Sequence, residues 1–501
     1  MNSLVLLNAL DSVAVAVDGL EAGESGQCLG CGLGETVLAR EAIPRGHKIA
    51  LADIREGAPV IKYGLPIGVA RCAIPAGAWV HSHNLESGLH GIGSYQPSGP
   101  FVWTGREASR ELLARAGVPD RFMGYRRGGA VGIRSEVWVI PAVGCVNRAA
   151  EVVAELGRKE FGLDAFAFGH PYGCSQLGDD LEATRAILAG LAAHPNAAGA
   201  IVVSLGCESN TLAEFQAAIG SLERVRFIHL QTTEDEDEAA RTALADLARV
   251  IAAEERVPVP LAELTIGIKC GGSDGFSGIT ANPLVGRVCE LLVAAGGSVL
   301  MTEVPEMFGA ETELMARANS PEVFADEVRM VNAFKDYFIA HGQEVFENPS
   351  PGNREGGITT LEEKSLGCIR KAGMVPVMDV IGYGRRRRGQ GLTLISGPGN
   401  DLVSATALTA AGAQLILFTT GRGTPFGAPA PTLKIASNSD LAVRKPRWID
   451  FDAGRVLAGV SFDDLALELF REVIAVAEGK PVQAELGGYR EIAIFKDGVT
   501  L

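Results

Sequence analysis

At 501 residues the chain is too long for one core, and 47% hydrophobic with 21% charged residues fits a soluble protein of several domains. A formal net charge of −15 excludes a general nucleic-acid binder, and it requires that an anionic substrate meet positive charge gathered locally. Nine cysteines cannot all pair, so the thiols read as reduced and the protein as cytoplasmic. The N-terminal LVLL run is cut by Asn8 and Asp11, short of a signal sequence or a membrane span.

Up to about Asn84 the chain reads as short, alternating strands between Gly and Pro turns, as in VAVAVDG, HKIALADI, PVIKYGLPIGVA and AGAWVHSHN. A small all-β module is expected over 1–92. Residues 93–122, with GIGSYQPSGP, read as a linker. Apolar runs then alternate with helical segments, predicting a first α/β domain over 123–258 and a second over 259–501, with VPVPL at 257–261 as the boundary. Leu181, Thr184, Ile187, Leu188 and Leu191 share one helical face, and the EDEDE run at 234–238 suits the start of a helix. A helix over 463–478 and a last strand over Ile492–Lys496 complete the prediction. The RRRR run at 385–388 reads as a solvated loop between strands.

Four apolar runs end in cysteine and then turn: VIPAVGC, AFAFGHPYGC, AIVVSLGC and LTIGIKC. Open parallel sheets bind ligands just beyond the carboxyl ends of their strands, so Cys145, Cys174, Cys207 and Cys270 are expected at a site. Three readings stay open for these thiols: buried small hydrophobes, ligands of iron or of an iron–sulfur cluster, or a nucleophile. His81 and His83, at a predicted strand end, share one side and could bind a divalent metal. Cys28 and Cys31 form a lone CxxC and read as a turn. Nucleotide-binding loops and HExxH are absent, and GYGRRRRGQG puts Arg387 where a third glycine is needed. GGSDG at 271–275 matches a nucleophile elbow, so a serine hydrolase using Ser273 competes, although His341 is the only later histidine.

Longer segments resemble the altronate/galactarate dehydratase family of sugar-acid hydro-lyases. They include GYRRGGAVGIRSEVWVIPAVGCVN (124–147), HPYGCSQLGDD (170–180), HPNAAGAIVVSLGCESN (194–210) and CGGSDGFSGITANPLVGR (270–287). TEVPEMFGAE (302–311), NPSPGNREGGITTLEEKSLGC (348–368), GPGNDLVSATALTAAGAQLILFTTGRGTPFG (397–427) and KIASNSDLA (434–442) continue the likeness. The resemblance implies an N-terminal SAF (β-clip) module before two Rossmann-like, doubly wound α/β domains. The length and the AIFKDGVTL ending favour the altronate branch over the galactarate and sulfolactate branches. It implies dehydration of D-altronate to 2-keto-3-deoxy-D-gluconate in hexuronate breakdown, with a divalent metal, typically Fe(II), with Mn(II) or an iron–sulfur cluster as alternatives. A small-molecule sugar acid is the expected partner, with no nucleic acid and no membrane, in a chain able to form homo-oligomers. On these motifs His170, Glu208 and Lys364 are expected to be catalytic, and Asn147, Ser273, Asn353 and Arg422 to bind substrate. Cys145, Cys174, Cys207 and the His81/His83 pair are the expected metal ligands, with Glu303 and Glu306 as possible oxygen donors. A non-catalytic sugar-acid-binding protein is the remaining alternative.

Overall fold

The computed structural model describes residues 2–30 and 36–501, and among the described residues up to Glu86 every regular element is a strand. Six strands pair in the order Thr36–Leu38, Ser25–Leu29, Asn2–Val5, Val13–Ala16, Lys48–Ala50 and Trp79–Val80, and Pro59–Lys62, Leu65–Ala70 and Leu85–Glu86 make a second sheet. Cys28 is buried in this module, whereas Cys31 lies outside the described residues. The strand preceding the histidines ends at Val80, so His81 and His83 belong to a turn and strand alternation does not align them. His81 is buried and His83 is exposed.

Beyond the helix Arg106–Arg115, Arg121–Arg127 pairs antiparallel with Val257–Pro260. The segment read from its prolines as a boundary is therefore a strand, at the edge of a three-stranded sheet where proline is tolerated.

Four parallel strands follow: β1 (Glu136–Pro141), β2 (Ala165–Ala167), β3 (Ala197–Ser204) and β4 (Val225–His229), in spatial order β2-β1-β3-β4. β1 and β3 are buried along their whole length, which is why they read as unbroken apolar runs. Val137 and Val139 pack with helices α1 (Asn147–Phe161) and α2 (Glu236–Ala252), while Trp138 and Ile140 pack with Gly178–Ala192 and Leu212–Ile219, so helices cover both faces. The acidic run does open α2, and Asp235 caps it by accepting from the Glu238 amide.

Seven parallel strands form the larger sheet: β5 (Thr265–Cys270), β6 (Ser298–Met301), β7 (Val377–Ile381), β8 (Gly391–Ile395), β9 (Leu415–Thr420), β10 (Thr432–Ala436) and β11 (Phe451–Asp452). Their spatial order is β7-β8-β6-β5-β9-β10-β11. Strand order reverses between β1 and β3 in the small sheet and between β5 and β9 in the large one; such points open crevices at the strands' carboxyl ends. Ile266 and Ile268 pack toward helix α3 (Ala281–Ala294), and Ile416 and Phe418 toward α4 (Asp401–Ala410).

The helix expected at 463–478 is Phe462–Ala477. The strand expected over Ile492–Lys496 does not form, because its amides find side chains in place of a neighbouring strand: Ala493 donates to Thr406 Oγ1 and Phe495 to Tyr383 Oη. The arginine run lies between β7 and β8, with Arg388 paired to Asp379 and Arg386 donating to the Ala193 carbonyl. Among the described residues no helix is long and apolar enough to cross a membrane.

Candidate active site

The carboxyl ends of β5 and β6 carry a buried cluster of charge. Lys269 and Cys270 end β5, and Glu303 and Glu306 follow β6. Glu303 sits at φ 71°, a left-handed conformation that a non-glycine side chain adopts only under constraint. Its carboxylate supplies that constraint by bridging two fully buried ammoniums, Lys269 through Oε1 and Lys371 through Oε2 at 2.6 Å. Lys269 also meets Asp401 at 3.0 Å, at the start of α4.

Lys371 reaches on to Cys270 Sγ at 2.9 Å. Cys270 Sγ lies 3.1 Å from Cys368 Sγ, and Glu306 Oε2 accepts from both thiols, at 3.3 and 3.1 Å. Glu306 Oε1 pairs with Lys364 at 2.9 Å, and Lys364 donates to Asn348 Oδ1 at 3.0 Å and Asn353 Oδ1 at 3.2 Å. Burial opposes the charge on Glu306, but Lys364, Lys269 and Lys371 outweigh it and hold the carboxyl down at about 2. Lys364 is shifted the other way: burial lowers it, yet Glu306 keeps it protonated above the usual lysine range. Both Cys368 and Lys364 lie on helix α5 (Leu361–Cys368), every residue of which is buried.

The loops beyond the switch-point strands meet here. The amides of Gly421 and Arg422 both donate to the Gly272 carbonyl, at 3.0 and 2.9 Å. Asn353 Nδ2 donates to the Ser273 carbonyl at 2.8 Å, and Arg422 spans Gly352 and the Glu355 carboxylate with an exposed guanidinium. Ser273, Asn353, Lys364 and Arg422 thus come together as expected of one site. Among the described residues no hydrogen bond joins the Ser273 hydroxyl to an imidazole, and His341 pairs with Asp497 at 2.9 Å, so the hydrolase reading lacks its base.

The β module docks against this region. Lys48 donates at 2.8 Å to the Gly357 carbonyl, Thr359 Oγ1 and Glu363 Oε2, and Lys62 donates to Glu363 Oε1 at 2.8 Å. One carboxylate serves two buried ammoniums. Burial therefore wins at Lys48, whose ammonium falls to about 8, while Glu363 and Tyr63 hold Lys62 above its usual value. Burial pulls Glu363 up, but the two lysines bring it to about 2. A Cβ on Gly275 would lie 2.0 Å from the Gly46 carbonyl, so the docking depends on that glycine. His81 Nε2 meets the Arg354 carbonyl at 2.9 Å, and His83 packs on Trp79 with centroids 5.2 Å apart. His81 thus makes a docking contact, and His83 is an exposed ring.

The remaining expected residues sit at the other sheet's carboxyl edge. His170 is buried, Nδ1 accepting from the Tyr172 amide and Nε2 meeting the Pro141 carbonyl at 2.8 Å. Burial lowers its pKa, and both nitrogens are committed to the main chain, so we assign it the fixing of this loop and not proton transfer. Asn147 joins the same loop, donating to the His170 carbonyl at 2.9 Å. Cys145, Cys174 and Cys207 are all exposed, and Glu208 is buried beside Cys207. The single site expected from sequence is thus two groups of residues on two sheets.

Sequence reading missed Lys269, Lys371 and Cys368 as one constellation with Cys270. A lysine inside the wholly apolar run LTIGIKC was the available signal, since a buried ammonium demands a carboxylate. Among the described residues Cys270, Glu306 and Cys368 are the one trio of potential metal donors within 4.8 Å of one another.

Three family descriptions match the chain in succession: the altronate/galactarate dehydratase SAF domain over 2–88, the D-galactarate dehydratase/altronate hydrolase second domain over 124–253, and the D-galactarate/altronate dehydratase C-terminal region over 261–500. An altronate dehydratase of Escherichia coli (strain K12) is 47% identical over 504 residues, covering 99% of each chain. An altronate dehydratase of Bacillus subtilis (strain 168) is 46% identical and covers 100% of each. The L-threo-forming galactarate dehydratase of the same Escherichia coli strain is 30% identical, over 97% of this chain and 95% of its own. Succession of all three regions, with a buried charge cluster where the sheets open, leads to one conclusion: the chain belongs to the altronate/galactarate dehydratase family.

Proposed function

We propose that this chain dehydrates D-altronate to 2-keto-3-deoxy-D-gluconate and water, at the carboxyl edge of the seven-stranded sheet, within an architecture of SAF module and two doubly wound α/β domains. The observation that carries the substrate is identity of 47% and 46% to altronate dehydratases along whole chains, against 30% to a galactarate dehydratase.

The reaction is hard because the C2 proton lies beside a carboxylate, and removing it places a second negative charge there. It therefore needs cationic stabilisation of the enediolate, a base for C2 and an acid for the departing C3 hydroxyl. Lys364 fits the acid. Glu306 keeps it charged, Asn348 and Asn353 orient it, and it lines a cavity shared with Ser273 and Cys368. Arg422 is exposed at the switch-point crevice, where its guanidinium would exchange Glu355 for the substrate's carboxylate.

A divalent ion fits the trio Cys270, Glu306 and Cys368. Their donors lie 3.1–3.3 Å apart, and one dication replacing two thiol protons leaves the charge of the cluster unchanged. Two thiolates and one carboxylate suit Fe(II) better than Mg(II). Bound there, the ion would act as a Lewis acid toward the enediolate.

The test is formation of 2-keto-3-deoxy acid by anaerobic, Fe(II)-supplied protein offered D-altronate, galactarate, D-mannonate and sulfolactate. Turnover of altronate above the others is the expected result. Preference for galactarate or sulfolactate would move the chain to another branch, and no turnover of any would overturn the reading.

A further inference from the structure

The reaction site leaves unused the carboxyl edge of the four-stranded sheet, where three thiols stand in solvent. Cys145 follows β1, Cys174 lies in the loop after β2, and Cys207 follows β3. Cysteine is among the most buried residue types, and Cys270, Cys289 and Cys368 of this chain obey that rule, yet these three are exposed together on one edge.

Their loops are fastened to one another. The Gly144 amide donates to the Tyr172 carbonyl at 2.8 Å, and the Asn210 amide donates to the Gly173 carbonyl at 3.0 Å. Gly173, at φ 96°, passes so close to β1 that a Cβ would lie 2.2 Å from the Ala142 carbonyl. His170 and Asn147 hold the same loop from inside. Three cysteine-bearing segments are thus fixed side by side at a strand-order switch point, where open sheets bind their ligands.

Two buried polar atoms in these loops have no partner. One is Gln176 Nε2, a donor two residues beyond Cys174; the other is Glu208 Oε1, an acceptor in the residue after Cys207. Gln176 and Glu208 are 2% and 7% exposed, so water does not readily satisfy them. A buried polar atom left unpaired is costly, and its presence at a ligand-type constellation marks a group still to be bound. Gln231 Nε2 already points a donor at Cys207 Sγ, at 3.6 Å, the kind of hydrogen bond that steadies a thiolate bound to metal.

The spacing argues against a single sulfur-bound ion. Around one tetrahedral zinc, with Zn–S near ~2.3 Å, thiolate sulfurs stand about 4 Å apart. The three sulfurs here do not all fall within 4.8 Å of one another. An iron–sulfur cluster spreads its cysteines because each binds a different iron. We propose that Cys145, Cys174 and Cys207 bind a four-iron, four-sulfide cluster whose fourth iron has no cysteine. Ligation replaces three thiol protons, lost to solvent, with three iron–thiolate bonds; two ferrous ions, two ferric ions and four sulfides come from outside, so the protein exchanges no electrons. Gln176 Nε2 is then the donor left for a sulfide, and Glu208 Oε1 the acceptor left for a proton of solvent on the open iron.

The experiment uses the full chain, purified anaerobically and reconstituted with equal amounts of ferrous and ferric iron and with inorganic sulfide. It reads iron and acid-labile sulfide per chain and the electron paramagnetic resonance of the reduced protein, without substrate, so its outcome is independent of altronate turnover. The wild type is expected to hold about four labile sulfides per chain. Cys145→Ser, Cys174→Ser and Cys207→Ser each should lose most of the sulfide and the cluster signal. Cys72→Ser, an exposed thiol of the β module, should keep both, and Cys368→Ser should keep the sulfide while losing any mononuclear iron. Absence of labile sulfide in the wild type, stoichiometric zinc without sulfide, or sulfide unchanged in the triple serine variant would overturn the proposal.

Discussion

The two parallel sheets end in opposite ways. At the seven-stranded edge the thiols Cys270 and Cys368 are buried among three lysines and three carboxylates, each charge answered by a neighbour. At the four-stranded edge the thiols are exposed, the surrounding loops are held by main-chain bonds, and two buried polar atoms remain unanswered. A cysteine at a strand end is therefore not one kind of signal. Its meaning depends on whether the site is already neutral and paired or has been left open.

Breaking the paired edge should have the largest effect. Glu303→Gln leaves Lys269 and Lys371 without the carboxylate between them, and unpairing a buried charge typically costs about 3–5 kcal/mol. Denaturant unfolding should show that loss together with abolished altronate turnover. No comparable change is expected from Cys72→Ser, an exposed thiol of the β module.

The docking of the β module should fail next, and by acid. Glu363 is held at about 2 against an ordinary 4.5. A depressed carboxyl stabilises the fold fully above the ordinary value and loses that contribution as pH falls toward the depressed one, so about 3 kcal/mol should vanish between pH 4.5 and 2. Glu363→Gln should remove this acid-dependent part of the stability, measured by urea unfolding across that range. If the variant and the wild type keep parallel pH profiles, the Lys48–Glu363–Lys62 bridge is not what holds the module.

The smallest effect belongs to the open edge. His170→Asn removes an imidazole that bonds two backbone groups, costing about 1–3 kcal/mol for the polar group left unpaired. Turnover per folded molecule should change far less than in Glu303→Gln. A loss of turnover with stability intact would restore His170 as an acid or base.

Much of this was legible from the chain, and for physical reasons. β1, β3 and β5 read as apolar runs because parallel strands are covered on both faces, and each ends at the predicted cysteine or a few residues short of it. Ser273, Asn353, Lys364 and Arg422 lie in long family segments, and the structure links them through hydrogen bonds of Asn353 and Gly352. The charge cluster was hidden. LEEKSLGC carries four polar or charged side chains in eight residues and looks like a surface helix, yet α5 is buried throughout because its charges find partners on other segments. Lys48 and Lys62 sit in strands of a small module, and their need for Glu363, some three hundred residues away, leaves no local trace. His81 and His83 fall in a turn and not on a strand, because the strand stops at Val80.

The proposed chemistry turns on Lys364, the cluster's one cation that is held by two asparagines and lines a cavity. Initial rates of 2-keto-3-deoxy acid formation from D-altronate should be compared for wild type and Lys364→Gln, both anaerobic, Fe(II)-supplied and shown by thermal unfolding to be folded. A fall in kcat of about 10²–10⁴-fold with KM little changed is expected, the range of a lost general acid. A folded Lys364→Gln protein turning over within about twofold of wild type would place the chemistry elsewhere, and the four-stranded edge would be the next place to look.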